Sequence, residues 1–419
     1  MLKKTKIISA ILLSGILSLN FSKTLTTYAD LTTLNYDSKY DLNNDSIINE
    51  LDIDEISKHY NNQKDSADWT EKFDFNNDGI IDIFDIIKIS KRNGIKKPIK
   101  NLSGNALELQ NLLAANKNVT TTKDESGKTI YNVWVKGITP PSESDFTNLD
   151  LGFSYMMNVA PWKPGQGWYD INKLRDGSDN LLCSGAVATN MLHWWLEQNK
   201  DYIDKYLQQN PDNGKNSNKN LDVRTSSTFH SQTNSDIFNI LKRMFGAGPI
   251  WTDKALLWYI NGFNMDFPTG PQYDSPHFDG RGGFFKDVFK KPGLTDRSYV
   301  GTYDLLNNRL LEWLKKDIAL GISHKTPTIY DHIITLWGAS FDDEGNLVGV
   351  YTTDSDDEDS EISNGVLYGM RYYKIVRDSA GRARMTTYNG KEINMGPRAV
   401  DLFSLSLEKE QWEEYFNEN

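Results

Sequence analysis

The sequence predicts an α+β fold for the larger part of the chain, and two observations lead to that prediction. After Cys183, the apolar residues Val187, Met191, Trp194 and Trp195 recur at the spacing of one helix face. Towards the C-terminus, short apolar runs alternate with turn residues, which is typical of antiparallel strands. A long helix followed by such strands favours helices packed on an antiparallel sheet.

The limits of these elements follow from breaker residues. The helix after Cys183 is expected to run to about Gln209, because Asn210-Pro211 cannot continue it. Residues 333–341 and 347–353 flank an Asp-Asp-Glu-Gly-Asn turn and predict a β-hairpin. Residues 368–376 predict a further strand.

Length, charge and cysteine content exclude several classes of protein. The chain has 419 residues, enough for two or three domains, and 12% of them are aromatic, which favours a sizeable packed core. The formal charge is −11, and −15 without the first 29 residues, so binding to a nucleic-acid backbone is disfavoured. A single cysteine, Cys183, excludes an intrachain disulfide and a thiolate zinc cluster.

The N-terminus has the pattern of a secretory signal peptide, residues 1–29. Lysines 3, 4 and 6 precede an apolar run over residues 7–21, and Thr27-Tyr28-Ala29 resembles a cleavage site. The run of about 15 apolar residues is shorter than the roughly 20 that a membrane span needs. We therefore expect an exported, extracellular protein without a membrane span.

A 33-residue repeat over residues 35–95 predicts two calcium sites. Hard cations prefer oxygen ligands at loop positions 1, 3, 5, 7, 9 and 12, with a backbone carbonyl at position 7. The predicted ligands are Asp41, Asn43, Asp45, Ile47, Asn49 and Asp52 in the first copy, and Asp74, Asn76, Asp78, Ile80, Asp82 and Asp85 in the second. The alternative is an Asp- and Asn-rich turn without metal. Ser46 stands where Gly79 makes the sharp turn of the second loop, so the first site is expected to be weaker.

These tandem loops resemble a type I dockerin, which implies a small all-α calcium-binding domain over residues 30–97. The resemblance also implies a cohesin-type partner on another protein, which would hold the exported chain at a cell surface. Positions 10 and 11 of the loops help to choose that partner in dockerins, and here they are Glu50-Leu51 and Ile83-Phe84. Residues 98–124 are polar apart from an Ala/Leu patch at 106–115, and we assign them to a linker.

Cys183 is the candidate nucleophile because it lies where the long helix begins. Unpaired N–H groups and the positive end of the helix dipole lower the pKa of a thiol there. The alternative is a small, inert core residue. A base is also needed, and among six histidines His332 opens an apolar strand 149 residues after the thiol. Asp354 ends the next strand and is placed to orient the imidazole, although an acidic surface turn explains it equally well.

The order Cys, His, Asp is the papain order with Asp in place of Asn, and the Cys-to-His spacing is that of papain-like enzymes. Longer motifs narrow the resemblance. Residues 130–410 resemble the IdeS/Mac family of secreted immunoglobulin-degrading cysteine proteases of streptococci. The matching motifs are Val133-Trp-Val-Lys-Gly-Ile-Thr-Pro-Pro141, Gly165-Gln-Gly-Trp-Tyr-Asp170, Leu181-Leu-Cys183, the helix segment 190–200, Ile260-Asn-Gly-Phe263, Gly280-Arg-Gly-Gly-Phe-Phe285, His332-Ile-Ile-Thr-Leu-Trp-Gly338 and Thr353-Asp-Ser-Asp356.

The resemblance implies a papain-like protease domain over residues 125–419 and assigns roles to five residues. Cys183 is the nucleophile, His332 the general base, Asp354 the acid that orients it, Asp356 a second supporting acid, and Lys173 the oxyanion-stabilising lysine. Papain places a glutamine six residues before its cysteine, but Gly177 stands here, so another donor is needed. Ser184-Gly185 replaces the Gly-Ala of the relatives.

The resemblance also implies the substrate, which is the hinge region of an immunoglobulin heavy chain, with IgG as the expected isotype. Catalysis of this kind needs no cofactor. Two alternatives remain: a cell-wall amidase-type Cys/His hydrolase, and a protein that binds antibody or cohesin without cleaving.

Overall fold

The computed structural model describes residues 37–43, 47–66, 68–96, 104–150, 156–174, 177, 179–215, 221–246, 250–262, 282–325, 331–357, 366–386 and 396–418. The chain divides into two compact units, residues 1–102 and 103–419. The predicted signal peptide, and Asp45 and Ser46 of the first loop, lie outside the described residues. Within the described ranges, no helix has both the length and the apolar character needed to cross a membrane.

The first unit contains two copies of one motif, and each copy has a 3-10 turn, a loop and a short helix. The turns are Ser38–Tyr40 and Glu71–Phe73, and the helices are α1 (Glu50–Ser57) and α2 (Ile83–Ser90). Strands β1 (Ile47–Ile48) and β2 (Ile95–Lys96) pair antiparallel. The turn and the helix of the second copy each begin 33 residues after their counterparts in the first, so the sequence repeat is also a structural repeat. Buried isoleucines from both copies form one core.

Both helices of this unit begin at a reciprocal capping box. The side chain of Asn49 accepts a hydrogen bond from the N–H of Leu51, and the Asp52 carboxylate accepts one from the N–H of Asn49. Asp82 and Asp85 repeat these contacts at α2. Such caps satisfy N–H groups that lack a partner within the helix, so polar loop residues define both helix starts.

The second unit combines helices with a large antiparallel sheet. Its helices are α3 (Asn105–Ala115), α4 (Cys183–Gln198), α5 (Lys200–Gln209), α6 (Asp236–Phe245), α7 (Thr252–Asn261), α8 (Tyr303–Trp313) and α9 (Lys409–Glu418). Its strands are β3 (Val119–Lys123), β4 (Thr129–Trp134), β5 (Thr147–Asp150), β6 (Met156–Ala160), β7 (Phe229–Ser231), β8 (Asn234–Ser235), β9 (Thr295–Tyr299), β10 (Ile318–Lys325), β11 (Asp331–Phe341), β12 (Leu347–Thr353), β13 (Met370–Arg377), β14 (Ala383–Thr386) and β15 (Arg398–Ser406). This is the α+β arrangement that the sequence predicts.

The strand pairings close a ring, in the order β10, β11, β12, β13, β14, β15 and back to β10. Hairpin β3–β4 extends the sheet from β11, hairpin β5–β6 extends it from β13, and β9 pairs with the outer edge of β15. The predicted hairpin is confirmed as β11–β12. Because the ring and its extensions are antiparallel, neighbouring strand ends meet at the same rim of the sheet.

Helix α4 is the central helix of the second unit. Every residue from Gly185 to Trp195 is buried, and Trp194 and Trp195 are fully enclosed. The predicted single helix to Gln209 is instead two helices, because Asn199 interrupts it. The buried Asn199 amide donates to the carbonyl of Leu407, a tertiary contact that the local sequence does not reveal.

Residues 98–124, assigned to a linker from composition, contain α3 and β3. Leu109 and Leu112 of α3 are fully buried in the core of the second unit, and β3 pairs with β4 along its whole length. The second unit therefore begins earlier than the sequence boundary at residue 125. Polar composition misled here because β3 is an edge strand rich in threonine, which exposes much of its surface.

Candidate active site

The thiol of Cys183 lies at the first residue of α4, as the sequence predicts. The preceding residue, Leu182, makes no side-chain capping hydrogen bond, so the N–H groups of the first turn are not taken by a cap. The positive end of the helix dipole therefore faces the sulfur and favours its ionised form. Cys183 is partly exposed, which a reagent or substrate needs in order to reach it.

The imidazole of His332 contacts this thiol from β11. His332 is the second residue of β11, and Asp354 directly follows β12, so the hairpin brings both to one rim of the sheet. The Nε2 of His332 donates to Oδ1 of Asp354 at 2.7 Å. Because Nε2 is used in this way, Nδ1 is the nitrogen left for the hydrogen bond that His332 makes with Cys183.

The charges of these three groups reinforce one another. Burial opposes ionisation of Cys183, but the hydrogen bond and charge of His332, with the charge of Lys173, outweigh it and lower the thiol pKa below its ordinary value. Burial likewise opposes the charged form of His332, yet Asp354 and Cys183 raise its pKa well above 6.5. The pKa of Asp354 is lowered despite burial, chiefly by His332 and Arg371. At neutral pH these directions favour a thiolate–imidazolium pair.

Lys173 and Asp356 complete the predicted set. The Nζ of Lys173 lies 2.7 Å from Oδ1 of Asp356 and donates to the carbonyl of Asn180 at 2.8 Å. Burial would lower the pKa of Lys173, but Asp356 and then Cys183 raise it, so the lysine is charged. Asp356 Oδ2 lies 3.7 Å from His332 Nε2, beyond hydrogen-bond distance. The structure therefore brings all five predicted residues together.

Asn190 ties the elements of the site to one another. Its Oδ1 accepts from the N–H of Ile171, and its Nδ2 donates to the Thr335 hydroxyl. The helix that carries Cys183 is thus bonded to the segment before Lys173 and to the strand that carries His332. Asn190 is 3% exposed, so these bonds are shielded from water and hold the site at a fixed spacing.

Arg371 is a functional residue that the sequence interpretation missed. From β13, its Nη1 lies 3.1 Å from Oδ2 of Asp354, while Nη2 contacts Asp357. All three side chains are nearly buried. Asp354 therefore accepts from His332 with one oxygen and from Arg371 with the other, which fixes its orientation. A lone arginine on a strand carries no motif, so only the tertiary structure reveals this contact.

A second histidine, His324, packs against His332. The two residues are paired across β10 and β11, and their ring centroids are 5.3 Å apart in an edge-to-face arrangement. Burial, and then the charge of His332, lower the pKa of His324 to about 3, so it is neutral. His324 thus packs an uncharged ring against the imidazole of His332. His193, ten residues after Cys183 on α4, is instead hydrogen-bonded to Ser235 in the core.

His332, Asp354 and Asp356 lie close enough together to suggest a metal site. Two cations already neutralise these carboxylates, because Lys173 pairs with Asp356 and Arg371 pairs with Asp354. A divalent ion here would face both positive charges, and His332 Nε2 is already used by Asp354. The donor set fits an acid-oriented imidazole better than it fits a metal centre.

Each of the two repeat loops buries the acids at its first and last predicted ligand positions. Asp52 and Asp85, at position 12, are fully buried, and Asp41 and Asp74, at position 1, are nearly so. Burial, together with the charge of Asp74, raises the pKa of Asp85 despite three hydrogen bonds from backbone N–H groups. Burying two carboxylates per loop is costly without a cation, so the residues present fit Ca²⁺.

Comparison with known proteins agrees with these features. Residues 97–412 match the Mac-1 family, and residues 39–92 match the dockerin type I domain. Over 313 residues, 72% of this chain, the sequence is 34% identical to a protein of Streptococcus suis (strain P1/7) described as an IgM protease. The match covers 27% of that relative, so the chain spans about a quarter of its length. The chain belongs to the Mac-1 family and carries a type I dockerin domain at its N-terminal side.

Proposed function

We propose that the chain is a secreted, papain-like cysteine endopeptidase that cleaves immunoglobulin heavy chains. One observation carries the proposal: the thiol of Cys183 at a helix start contacts His332, whose other nitrogen is held by Asp354 at 2.7 Å. A helix that bears the nucleophile and a sheet that bears the base support a papain-like assignment of the second unit, residues 103–419. The substrate rests on the IgM protease to which the chain is similar.

The mechanism follows from the charges at the site. The Cys183 thiolate attacks a peptide carbonyl carbon, and the carbonyl oxygen takes up the negative charge. Lys173 and the N–H of Cys183 stabilise that oxygen, and the imidazolium of His332 gives its proton to the departing amine. Water then attacks the thioester while His332 takes one of its protons, which releases the acid and restores the thiol pair. Asp354 keeps its charge throughout and holds the imidazole ring.

Two observations favour different immunoglobulin isotypes as the substrate. The family resemblance favours IgG, and the match to the IgM protease favours IgM. Because the chain covers only 27% of that relative, both IgG and IgM are candidate substrates, and both are included in the first assay.

The N-terminal unit would add a docking function. A dockerin binds a cohesin-type partner, and Leu51 and Phe84 are the most exposed of the large apolar side chains in its helices. They occupy the same position in the two copies, whereas Glu50 and Ile83 beside them differ in charge. The two faces would therefore not be equivalent. Calcium bound in both loops would stabilise this unit, and cleavage of a signal peptide over residues 1–29 would deliver the chain outside the cell.

The proposal is tested with purified IgG, IgM and IgA incubated with the protein, with and without prior thiol alkylation. We expect heavy-chain fragments from at least one immunoglobulin, and none after alkylation of Cys183. Binding of an immunoglobulin without fragments would favour a non-cleaving binder. Release of peptides from cell-wall material, with intact antibodies, would favour the amidase alternative.

A further inference from the structure

Two large apolar side chains remain exposed beside the nucleophile. Leu181, two residues before Cys183, is 55% exposed, and Trp251, which directly precedes α7, is 56% exposed. Eight other tryptophans are less than 9% exposed, so an exposed indole is unusual in this unit. The next residue, Thr252, is buried, and its hydroxyl donates to the carbonyl of Ser184 at 3.5 Å. Trp251 therefore lies next to the first turn of α4.

A row of residues paired across neighbouring strands leads from the residue after His332 towards Trp251. Ile333, next to His332, pairs with Ser323 on β10, Ser323 pairs with Asp401 on β15, and Asp401 pairs with Tyr299 on β9. Three steps between neighbouring strands correspond to roughly 14 Å. Tyr299 ends this row and is 65% exposed. An extended chain of about five residues covers that distance.

Arg297 fixes Trp251 to this row. Its guanidinium carbon lies 4.3 Å from the centre of the Trp251 ring, and its Nη2 lies 2.8 Å from Asp401. Arg297 also lies over Phe403 beneath it. A cation held between two rings and a carboxylate restrains the indole before any ligand arrives, so little conformational freedom is lost on binding.

We infer that Trp251 and Tyr299 are substrate-contacting residues that bind an extended heavy-chain segment adjoining the scissile bond, with an apolar side chain of that segment against the indole. The inference rests on the proposed function, because it takes the cleaved chain as the occupant. Exposed aromatic side chains on a rigid support contribute most to the energy of many protein interfaces. We call the surface formed by Trp251, Arg297 and Tyr299 the ledge. The carbonyl attacked by Cys183 would lie at one end of it, and Tyr299 at the other.

The test separates binding from turnover. In a Cys183→Ala chain, which cannot form the acyl-enzyme, the dissociation constants for IgM and IgG are measured by biolayer interferometry, with and without Trp251→Ala. We expect Trp251→Ala to weaken binding by about 30-fold and Trp251→Phe to restore most of it. In the chain with its thiol, Trp251→Ala should raise KM, leave kcat within about threefold and leave the alkylation rate of Cys183 unchanged.

Leu305→Ala is the matched control. Leu305 is 47% exposed at the start of α8, which lies near the end of β11 opposite to His332. Its replacement should change neither the dissociation constant for IgM nor that for IgG. If Trp251→Ala in the Cys183→Ala chain leaves both dissociation constants within twofold, while the chain with its thiol cleaves immunoglobulin, the ledge is refuted and the proposed function stands. If the Cys183→Ala chain binds no immunoglobulin and the chain with its thiol cleaves none, the proposed function fails, and the ledge fails with it.

Discussion

The replacement His332→Ala tests the ion pair at the centre of the site without requiring a substrate. Cys183 is the only cysteine in the chain, so alkylation by iodoacetamide reports on that sulfur alone. The imidazolium is a principal group that lowers the pKa of the thiol. Without it, burial is opposed chiefly by Lys173, and the pKa of Cys183 must rise. At neutral pH the sulfur then becomes largely protonated.

The size of the effect follows from Coulomb's law. Opposite charges about 4 Å apart at an effective dielectric constant of about 20 attract by about 4 kcal/mol, which is about a thousandfold in thiolate fraction. A thiolate of higher pKa is intrinsically more nucleophilic, which recovers a factor of about 20. At a pH below the thiol pKa of both proteins, where the thiolate fraction changes by that full factor, we therefore expect alkylation to slow by roughly 50-fold.

The assay is the alkylation rate measured by intact mass between pH 4 and 10. The wild-type rate should already be high at pH 6, and the rate for His332→Ala should rise only above the ordinary pKa of a thiol. His230→Ala removes an exposed histidine paired with Asp236 and should leave the profile unchanged. Superimposable profiles for wild type and His332→Ala would refute the ion pair.

Four further predictions address the supporting residues and the calcium loops. Arg371→Met breaks the buried ion pair with Asp354 and should lower the free energy of unfolding, measured in urea, by about 3–5 kcal/mol. Arg377→Met breaks an exposed ion pair and should lower it by less than about 1 kcal/mol; equal losses would contradict a stabilising role for the Arg371–Asp354 pair. Lys173→Met should lower kcat for heavy-chain cleavage by about 100-fold or more, and an unchanged kcat would remove it from the oxyanion site. The value of kcat/KM should fall at low pH, as the thiolate gains a proton, and at high pH, as His332 loses one. Because the pKa of the thiol is lowered and that of His332 is raised, kcat/KM should be constant over a broad pH range between these limits. A kcat/KM that rises only above pH 8 would contradict this. Chelation of calcium should remove amide-exchange protection from the dockerin domain and leave the alkylation rate of the thiol unchanged, and protection that persists in chelator would exclude structural calcium.

Three residues that sequence reasoning identified from local patterns lie at or next to an end of a regular element. Cys183 begins a helix, His332 begins a strand and Asp354 follows one, so breaker residues and apolar periodicity locate them. The hairpin β11–β12 could also be predicted, because its turn residues are local. That local pattern sets the register which brings Asp354 to the imidazole.

The residues that were missed act across distances that local patterns do not encode. Arg371 reaches Asp354 from β13, and His324 faces His332 only because β10 pairs with β11. Asn199 breaks the long helix through a bond to Leu407, which lies 208 residues away in the chain. Nothing in the sequence separates Trp251 from the tryptophans of the core. Only the structure shows that it is exposed and that the residue after it contacts Ser184.

The most direct test of the account is heavy-chain cleavage by wild type compared with Cys183→Ala, followed by mass spectrometry of intact IgM and IgG. We expect wild type to produce one defined pair of heavy-chain fragments from at least one of the two antibodies. The Cys183→Ala chain, folded and with the same calcium content, should produce none. The same fragments from Cys183→Ala, or none from wild type with either antibody, would contradict the assignment of Cys183 as the nucleophile of an immunoglobulin-cleaving protease.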